Sequence, residues 1–181
     1  GVPPDGPPLR ADSAGAGAST LGIASRRLPT QDLSEAAAQP MSSPDGRLWL
    51  AFNGEVYNFR ALRGELRARG REFRTSGDTE VVLAAYEAWG ERCFERLDGM
   101  WALAIADLGR GRLVLSRDRF GIKPLHWALG EGALLVASEA KQIVAARGQA
   151  PRANAALVAA FLRGTRYPCL EETFFEGVHP V

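Results

Sequence analysis

A layered α+β fold, with antiparallel sheets and helices beside them, is what this sequence of 181 residues predicts. Three observations carry that reading. Two pairs of short apolar runs are joined by Gly-containing turns, the mark of β-hairpins: Met100 to Ala106 with Leu113 to Ser116, and Leu125 to Leu129 with Ala133 to Ala137. Apolar residues at helical spacing lie beside these hairpins, an order unlike the strand–helix alternation of a doubly wound parallel sheet. Hydrophobic residues make up 46% of the chain and charged ones 24%, an ordinary balance for a globular domain with a real core.

In chain order, residues 1 to 17 are rich in Gly, Pro and Ala, lack apolar periodicity and read as a flexible segment. Thr20 to Ala24 reads as a strand, followed by the basic pair Arg26-Arg27 and a polar, turn-rich stretch from Leu28 to Met41. The apolar run from Leu48 to Phe52 reads as a buried strand that breaks at Asn53-Gly54-Glu55. Asn-Gly is a turn signal, because Gly accepts positive φ and Asn tolerates it. A helix is expected from Asn58 to Arg69, with Asn58 as N-cap and Gly70 just past its end. Its four arginines, Arg60, Arg63, Arg67 and Arg69, read as a solvated face. Glu72 to Thr75 reads as a brief strand. The stretch Thr75-Ser-Gly-Asp-Thr-Glu80 signals a helix start, its acids favourable at the positive helix end, and the helix runs from Thr79 to Trp89. Glu91 to Leu97 reads as a short helix. Beyond the hairpins, Glu139 to Arg147 and Asn154 to Leu162 read as helices, and Arg163 to Val181 has no strong period.

The charges exclude several functions. With 22 Lys and Arg against 21 Asp and Glu, the net charge is +1, no footprint for nucleic acid or an anionic membrane. No apolar run reaches membrane-span length, and the first residues lack a signal-peptide layout. The two cysteines, Cys93 and Cys169, form no disulfide framework and have no metal-spaced neighbour, so a reduced cytoplasmic setting is expected. His126 and His179 are isolated and read as structural or incidental. A glycine-rich phosphate loop, a Walker A motif and a nucleophile elbow are absent.

Polar residues point to one candidate pocket. Asn53, Gly54 and Glu55 bring an amide, a backbone N–H and a carboxylate to the end of a core strand, where the first two could stabilise an oxyanion. Asp78 could receive a ligand ammonium group or simply cap its helix. Arg27 could clamp a carboxylate bidentately or be a surface charge. Together Arg27, Asn53, Gly54, Glu55 and Asp78 suit an α-amino acid. The run Ser116-Arg-Asp-Arg-Phe-Gly-Ile-Lys-Pro-Leu125 reads as a solvated turn, or as an ion-pair network shaping a pocket wall.

Five ordered motifs then carry a family resemblance: Phe52-Asn-Gly-Glu-Val-Tyr-Asn58, Ser76-Gly-Asp-Thr-Glu-Val81, Leu97-Asp-Gly-Met-Trp-Ala102, Arg117-Asp-Arg-Phe-Gly-Ile-Lys-Pro-Leu125 and Ala137-Ser-Glu-Ala-Lys141. They closely resemble the class II glutamine amidotransferase domain of glutamine-hydrolysing asparagine synthetases. The likeness runs from about Leu21 onward, and Pro3-Pro-Asp-Gly6 resembles a worn form of that family's Arg-Gly-Pro-Asp-Gly. It implies the N-terminal-nucleophile hydrolase fold, a four-layer αββα sandwich of two antiparallel sheets, here without its N-terminal strand. It also implies that Arg27 holds the glutamine α-carboxylate, that Glu55 and Asp78 surround its α-amino group, and that the Asn53 amide and Gly54 N–H form the oxyanion hole. Leu28, Pro29, Thr30 and Gln31 would line the same pocket.

The domain is expected over residues 18–163, with 164–181 as the start of a linker to an ATP-dependent synthetase domain outside this sequence. No cofactor is expected in the domain itself; ATP and magnesium belong to the synthetase part. The partners implied are L-glutamine and that synthetase domain, with neither nucleic acid nor membrane, and a homodimer is an association state open to it.

One feature departs from the family. Its nucleophile is an N-terminal Cys whose own α-amine serves as base. This sequence starts at Gly1, and neither Cys93 nor Cys169 carries a free α-amine, so the chain alone is expected to bind glutamine weakly and not hydrolyse it. Two explanations stand. The chain is a piece of an asparagine synthetase that turns glutamine, aspartate and ATP into asparagine and glutamate. Alternatively it is a degenerate amidotransferase-like domain, as in β-lactam synthetases and lasso-peptide cyclases, or a non-catalytic glutamine-binding module. The intact pocket residues favour the first.

Overall fold

The computed structural model describes residues 9–11, 21–25, 32, 34–130, 132–148, 150–164 and 172–181. The chain divides into two compact units, Gly1–Leu115 and Ser116–Val181.

In the first unit, β1 (Leu9–Ala11) and β2 (Leu21–Ile23) form an antiparallel ribbon, β1 falling inside the segment read as flexible. The main sheet combines β3 (Met41–Ser42), β4 (Leu48–Val56), β5 (Gly99–Asp107) and β6 (Arg112–Arg117), in the order β3-β4-β5-β6. Two helices follow β4, α1 (Phe59–Ala68) and α2 (Asp78–Trp89), and a 3-10 helix occupies Gly90–Arg96. The core follows from period-two alternation: Leu48, Leu50, Phe52 and Val56 of β4 point one way and are buried, with Trp101, Leu103 and Ile105 of β5 in the same cluster. α2 adds a continuous buried run from Val81 to Tyr86, and α1 adds Leu62 and Leu66, one helical turn apart. Each buried aliphatic side chain of this kind contributes about 1.5–3 kcal/mol of transfer free energy.

Two expected breaks are absent. The strand does not stop at Asn53: all nine residues of β4 have partners in β5, from Leu48 opposite Asp107 to Val56 opposite Gly99. The Asn-Gly turn signal is overridden by a ladder that continues on both sides of it. Glu72 to Thr75 is not a strand, because the Arg74 and Thr75 N–H groups donate to the Glu80 carboxylate at 3.0 and 2.7 Å and not to a sheet.

The second unit holds β7 (His126–Gly130), β8 (Ala133–Ala137) and β9 (His179–Pro180), in the antiparallel order β8-β7-β9. α3 (Ala140–Arg147) lies on β7 and β8, started by a capping box between Glu139 and Gln142. Its core is small: Ala128, Ile143 and Val178. Residues 172–181, which the sequence reads as the approach to a linker, supply β9 and Val178. α4 (Ala155–Leu162) is capped as expected, the Asn154 carboxamide oxygen accepting from the Leu157 N–H at 3.2 Å. His126 bonds through its ring to the Ser138 carbonyl at 2.9 Å, and His179 packs on Trp127 with ring centroids 5.0 Å apart.

The charged run before β7 is not simply a solvated turn, because two of its charged side chains bond main-chain groups. Arg117 donates to the carbonyls of Lys123 and Gly121 at 2.7 Å each and of Val181 at 3.3 Å. Asp118 is buried and accepts the N–H groups of Phe120, Ile122 and Lys123. Both side chains thus bond main-chain groups within this unit. Among the described residues, no helix is long and apolar enough to cross a membrane.

Candidate active site

The site grows out of the second half of β4. Asn53 and Glu55, two residues apart, share the face opposite the core. The Asn53 side chain is exposed and makes no hydrogen bond among the described residues. Gly54 lies between them on the core face, opposite Trp101. A Cβ at Gly54 would sit 2.7 Å from the Trp101 Cα and closer still to the Met100 carbonyl oxygen. Glycine is therefore required for close strand approach, not for the positive φ that the turn reading assumed.

The alternation of ladder hydrogen bonds sets the remaining donors. Tyr57 N–H donates to the Asp98 carbonyl at 2.7 Å, so odd-numbered residues of β4 bond towards β5 and even-numbered ones point to the opposite edge. On that edge the Phe52 N–H is taken by the Gln39 side-chain oxygen at 2.7 Å, and the Val56 N–H by Asp78 Oδ2 at 2.9 Å. The Gly54 N–H falls between the two. Among the described residues, β3 covers this edge only opposite Trp49 and Leu50.

Asp78 is the first residue of α2, and the cap position belongs to Gly77, which has no side chain to cap with. The alternative of a simple capping aspartate thus gives way to a carboxylate that ties the end of β4 to the start of α2. Burial pushes its pKa up; the N–H groups of Val56, Asp78 itself and Thr79 pull against this, and the charge of Glu55 raises it further. Burial is thus the main cost of the Asp78 charge, a cost that a bound cation would offset.

The loop that leads into α2 is held by residues the sequence did not single out. Asp32, buried, accepts the N–H and hydroxyl of Ser34 at 2.9 and 2.6 Å, and those of Ser76 at 2.8 and 3.0 Å. Those bonds, the Ser34 hydroxyl foremost, hold its carboxyl well below the usual carboxylate range. Arg63, assigned to a solvated face, instead donates to the carbonyls of Thr75 and Gly77 at 2.6 Å each and stacks 4.7 Å from the Phe73 ring centroid. Asn58 occupies its expected position before α1 without capping it: its side chain donates to the Arg96 carbonyl and accepts from the Asp98 N–H. Apart from the Asp32–Ser34 bonds, no local pattern announces these contacts, because their partners lie 12 to 44 residues away.

Of the expected site residues, the structure brings together Asn53, Gly54, Glu55 and Asp78. Arg27, Leu28, Pro29, Thr30 and Gln31 lie outside the described residues. Cys93 is fully buried in the 3-10 helix, and burial pushes its thiol up to about 12, which makes it no nucleophile.

Comparison with known proteins bears on the family and the fold. Residues 11–181 match the glutamine amidotransferase domain family. Asparagine synthetase [glutamine-hydrolyzing] 1 of Bacillus subtilis is 41% identical over 127 residues, 70% of this chain but 20% of that protein. Asparagine synthetase B of Escherichia coli is 41% identical over 123 residues, covering 67% of this chain and 22% of that protein. The amidase chyE of Penicillium rubens is 35% identical over 162 residues, 90% of this chain and 23% of its own length. Among solved structures, the glutamine phosphoribosylpyrophosphate amidotransferase of B. subtilis superposes with a TM-score of 0.51 at 28% identity, covering 59% of this chain and 25% of that one. The antiparallel sheets, the helices and these neighbours place the fold with the N-terminal-nucleophile hydrolases. The chain spans about a fifth of the curated relatives it matches, and it belongs to the glutamine amidotransferase domain family.

Proposed function

We propose that this domain binds L-glutamine and, as part of a longer asparagine synthetase, supplies the ammonia that is joined to aspartate. The observation that carries this reading is the arrangement on β4: among the described residues, an Asn53 amide and a Gly54 N–H without a hydrogen-bond partner, with the carboxylates of Glu55 and Asp78 nearby. The carboxylates receive the α-ammonium group, and Asp78 gains most, since a nearby cation offsets the burial that disfavours its charge. The Asn53 amide and Gly54 N–H meet the negative oxygen of the tetrahedral intermediate formed when the side-chain amide is attacked. Arg27 holds the α-carboxylate, with Leu28 to Gln31 beside it.

The attacking group is a cysteine outside these residues, because neither cysteine within them suits the role. It forms a γ-glutamyl thioester and expels ammonia; water then releases glutamate and restores the thiol. ATP and magnesium act in the synthetase portion and engage no residue of this domain. The resemblance to asparagine synthetases supports aspartate as the acceptor. The match to chyE, named an amidase, covers more of the chain and supports a second reading, in which the parent protein is an amidase and forms no asparagine. Product analysis of the whole gene product, given glutamine, ATP and aspartate, separates the two.

Calorimetric titration of the 181-residue chain with L-glutamine tests the pocket directly. Weak binding is expected, lost in both Asp78→Ala and Arg27→Ala. Binding indifferent to both substitutions, or glutamine hydrolysis that survives them, would overturn the assignment.

A further inference from the structure

α4 is built of Ala155-Ala-Leu-Val-Ala-Ala-Phe-Leu162, without one polar side chain, yet only Leu157 and Ala160 are buried. A helix that is apolar on every side belongs in the interior of a larger assembly. Its C-terminal turn presents Phe161 and Leu162 at 69% and 77% exposure, and Phe174 stands edge-on to Phe161 with ring centroids 5.6 Å apart.

The patch is held firmly. Asn154 caps the helix and donates through its side chain to Glu172 at 2.8 Å, while its N–H donates to the Phe174 carbonyl at 2.9 Å. A β-bridge between Ala153 and Phe175, and a bond from the Glu176 N–H to the Arg152 carbonyl, tie the same two segments together. Preordered apolar side chains of this kind lose little entropy on docking. The curated relatives supply the candidate occupant, since this chain matches only 16% to 23% of their lengths.

We propose that Phe161, Leu162 and Phe174 form the surface on which the synthetase portion of the parent protein docks. This rests on reading the chain as the amidotransferase part of a longer enzyme. The test is oxidative footprinting of the whole gene product beside the 181-residue chain. Labelling of the three side chains should be several-fold slower in the whole product, and Phe161→Asp should restore it at Leu162 and Phe174. The same variant should lower glutamine-supported amide synthesis more than ammonia-supported synthesis, with glutamine hydrolysis retained.

Equal labelling in the two proteins overturns the proposal, as does a reading frame that stops at Val181. Slow labelling in the short chain itself, easing on dilution, also overturns it and assigns the face to a second copy. Protection without any asparagine formed leaves the docking surface standing and removes the synthetase reading. Asparagine formed without protection does the reverse.

Discussion

Among the described residues, the first unit buries Leu48, Leu50, Leu103 and Ile105 almost completely and leaves only Tyr57 and Leu108 of its large apolar side chains exposed, whereas the second leaves eight exposed around a core of Ala128, Ile143 and Val178. The second unit is also the shorter, Ser116–Val181 against Gly1–Leu115. Small units bury a smaller share of their surface, but that scaling does not demand Phe120 at 86% or Leu162 at 77% exposure. The difference separates two tasks. The first unit spends its apolar residues on holding a polar pocket in place; the second keeps apolar residues available outside.

Core truncations give the largest contrast. Leu103→Ala, deep in the first cluster, should cost about 2–5 kcal/mol in denaturant unfolding, with the cavity term adding to lost transfer energy. Ile143→Ala should fall at about 2 kcal/mol, the lower end, because fewer fully buried neighbours line the gap. Equal costs would break the distinction between the units.

Next comes Arg63→Met, which keeps an apolar stem near Phe73 but removes two bonds to the Thr75 and Gly77 carbonyls. A loss of about 1.5–3 kcal/mol is expected, the range for hydrogen bonds from charged donors. Glutamine binding should fall with it, since those carbonyls belong to the loop that delivers Asp78.

A pH series probes the two acids of the first unit separately. Folding raises the Asp78 pKa, so its ionisation costs stability as pH rises through the folded value, and a ligand cation recovers that cost. Glutamine affinity should therefore climb with pH across that interval, and Asp78→Asn should flatten the climb. Folding lowers the Asp32 pKa, so its contribution is present above the unfolded value and lost as pH falls towards the folded one. Asp32→Asn should remove that acid-side loss in thermal melts; an unchanged slope would show that another carboxylate carries it.

The smallest effect belongs to the second unit. Phe161→Asp should change the stability of the 181-residue chain by about 1 kcal/mol or less, the cost of one exposed ring contact with Phe174 and of an acid in the last helical turn. A much larger loss would mean that α4 is already packed where it lies.

Most strands and helices were legible because period and punctuation agree: the helices read over Asn58 to Arg69, Thr79 to Trp89 and Asn154 to Leu162 return as α1, α2 and α4 with ends within a residue or so. Asn53, Gly54, Glu55 and Asp78 were legible as a group through their motifs, yet for Gly54 the motif hid the physical reason. Local sequence reports a turn residue, while the need for glycine comes from Met100 and Trp101, more than forty residues away. The roles of Gln39, Asp32 and Arg63 were not legible for the same cause. Each bonds main-chain groups that only the folded chain brings near, and no periodic pattern encodes that. In the Arg117–Lys123 run, the bonds from Arg117 and to Asp118 reach main-chain groups, which charge in sequence does not announce.

The edge of β4 has one more consequence. Phe52, Gly54 and Val56 present a row of N–H donors there, the kind of border at which a stray extended segment can add itself as a further strand. Among the described residues, Gln39 and Asp78 plug the first and last of the row with side chains and not with a neighbouring strand, leaving a gap one donor wide. The acid proposed to greet the substrate is thus also a guard against aggregation. Its removal should shorten the time a concentrated sample stays clear, even while the fold beneath remains intact.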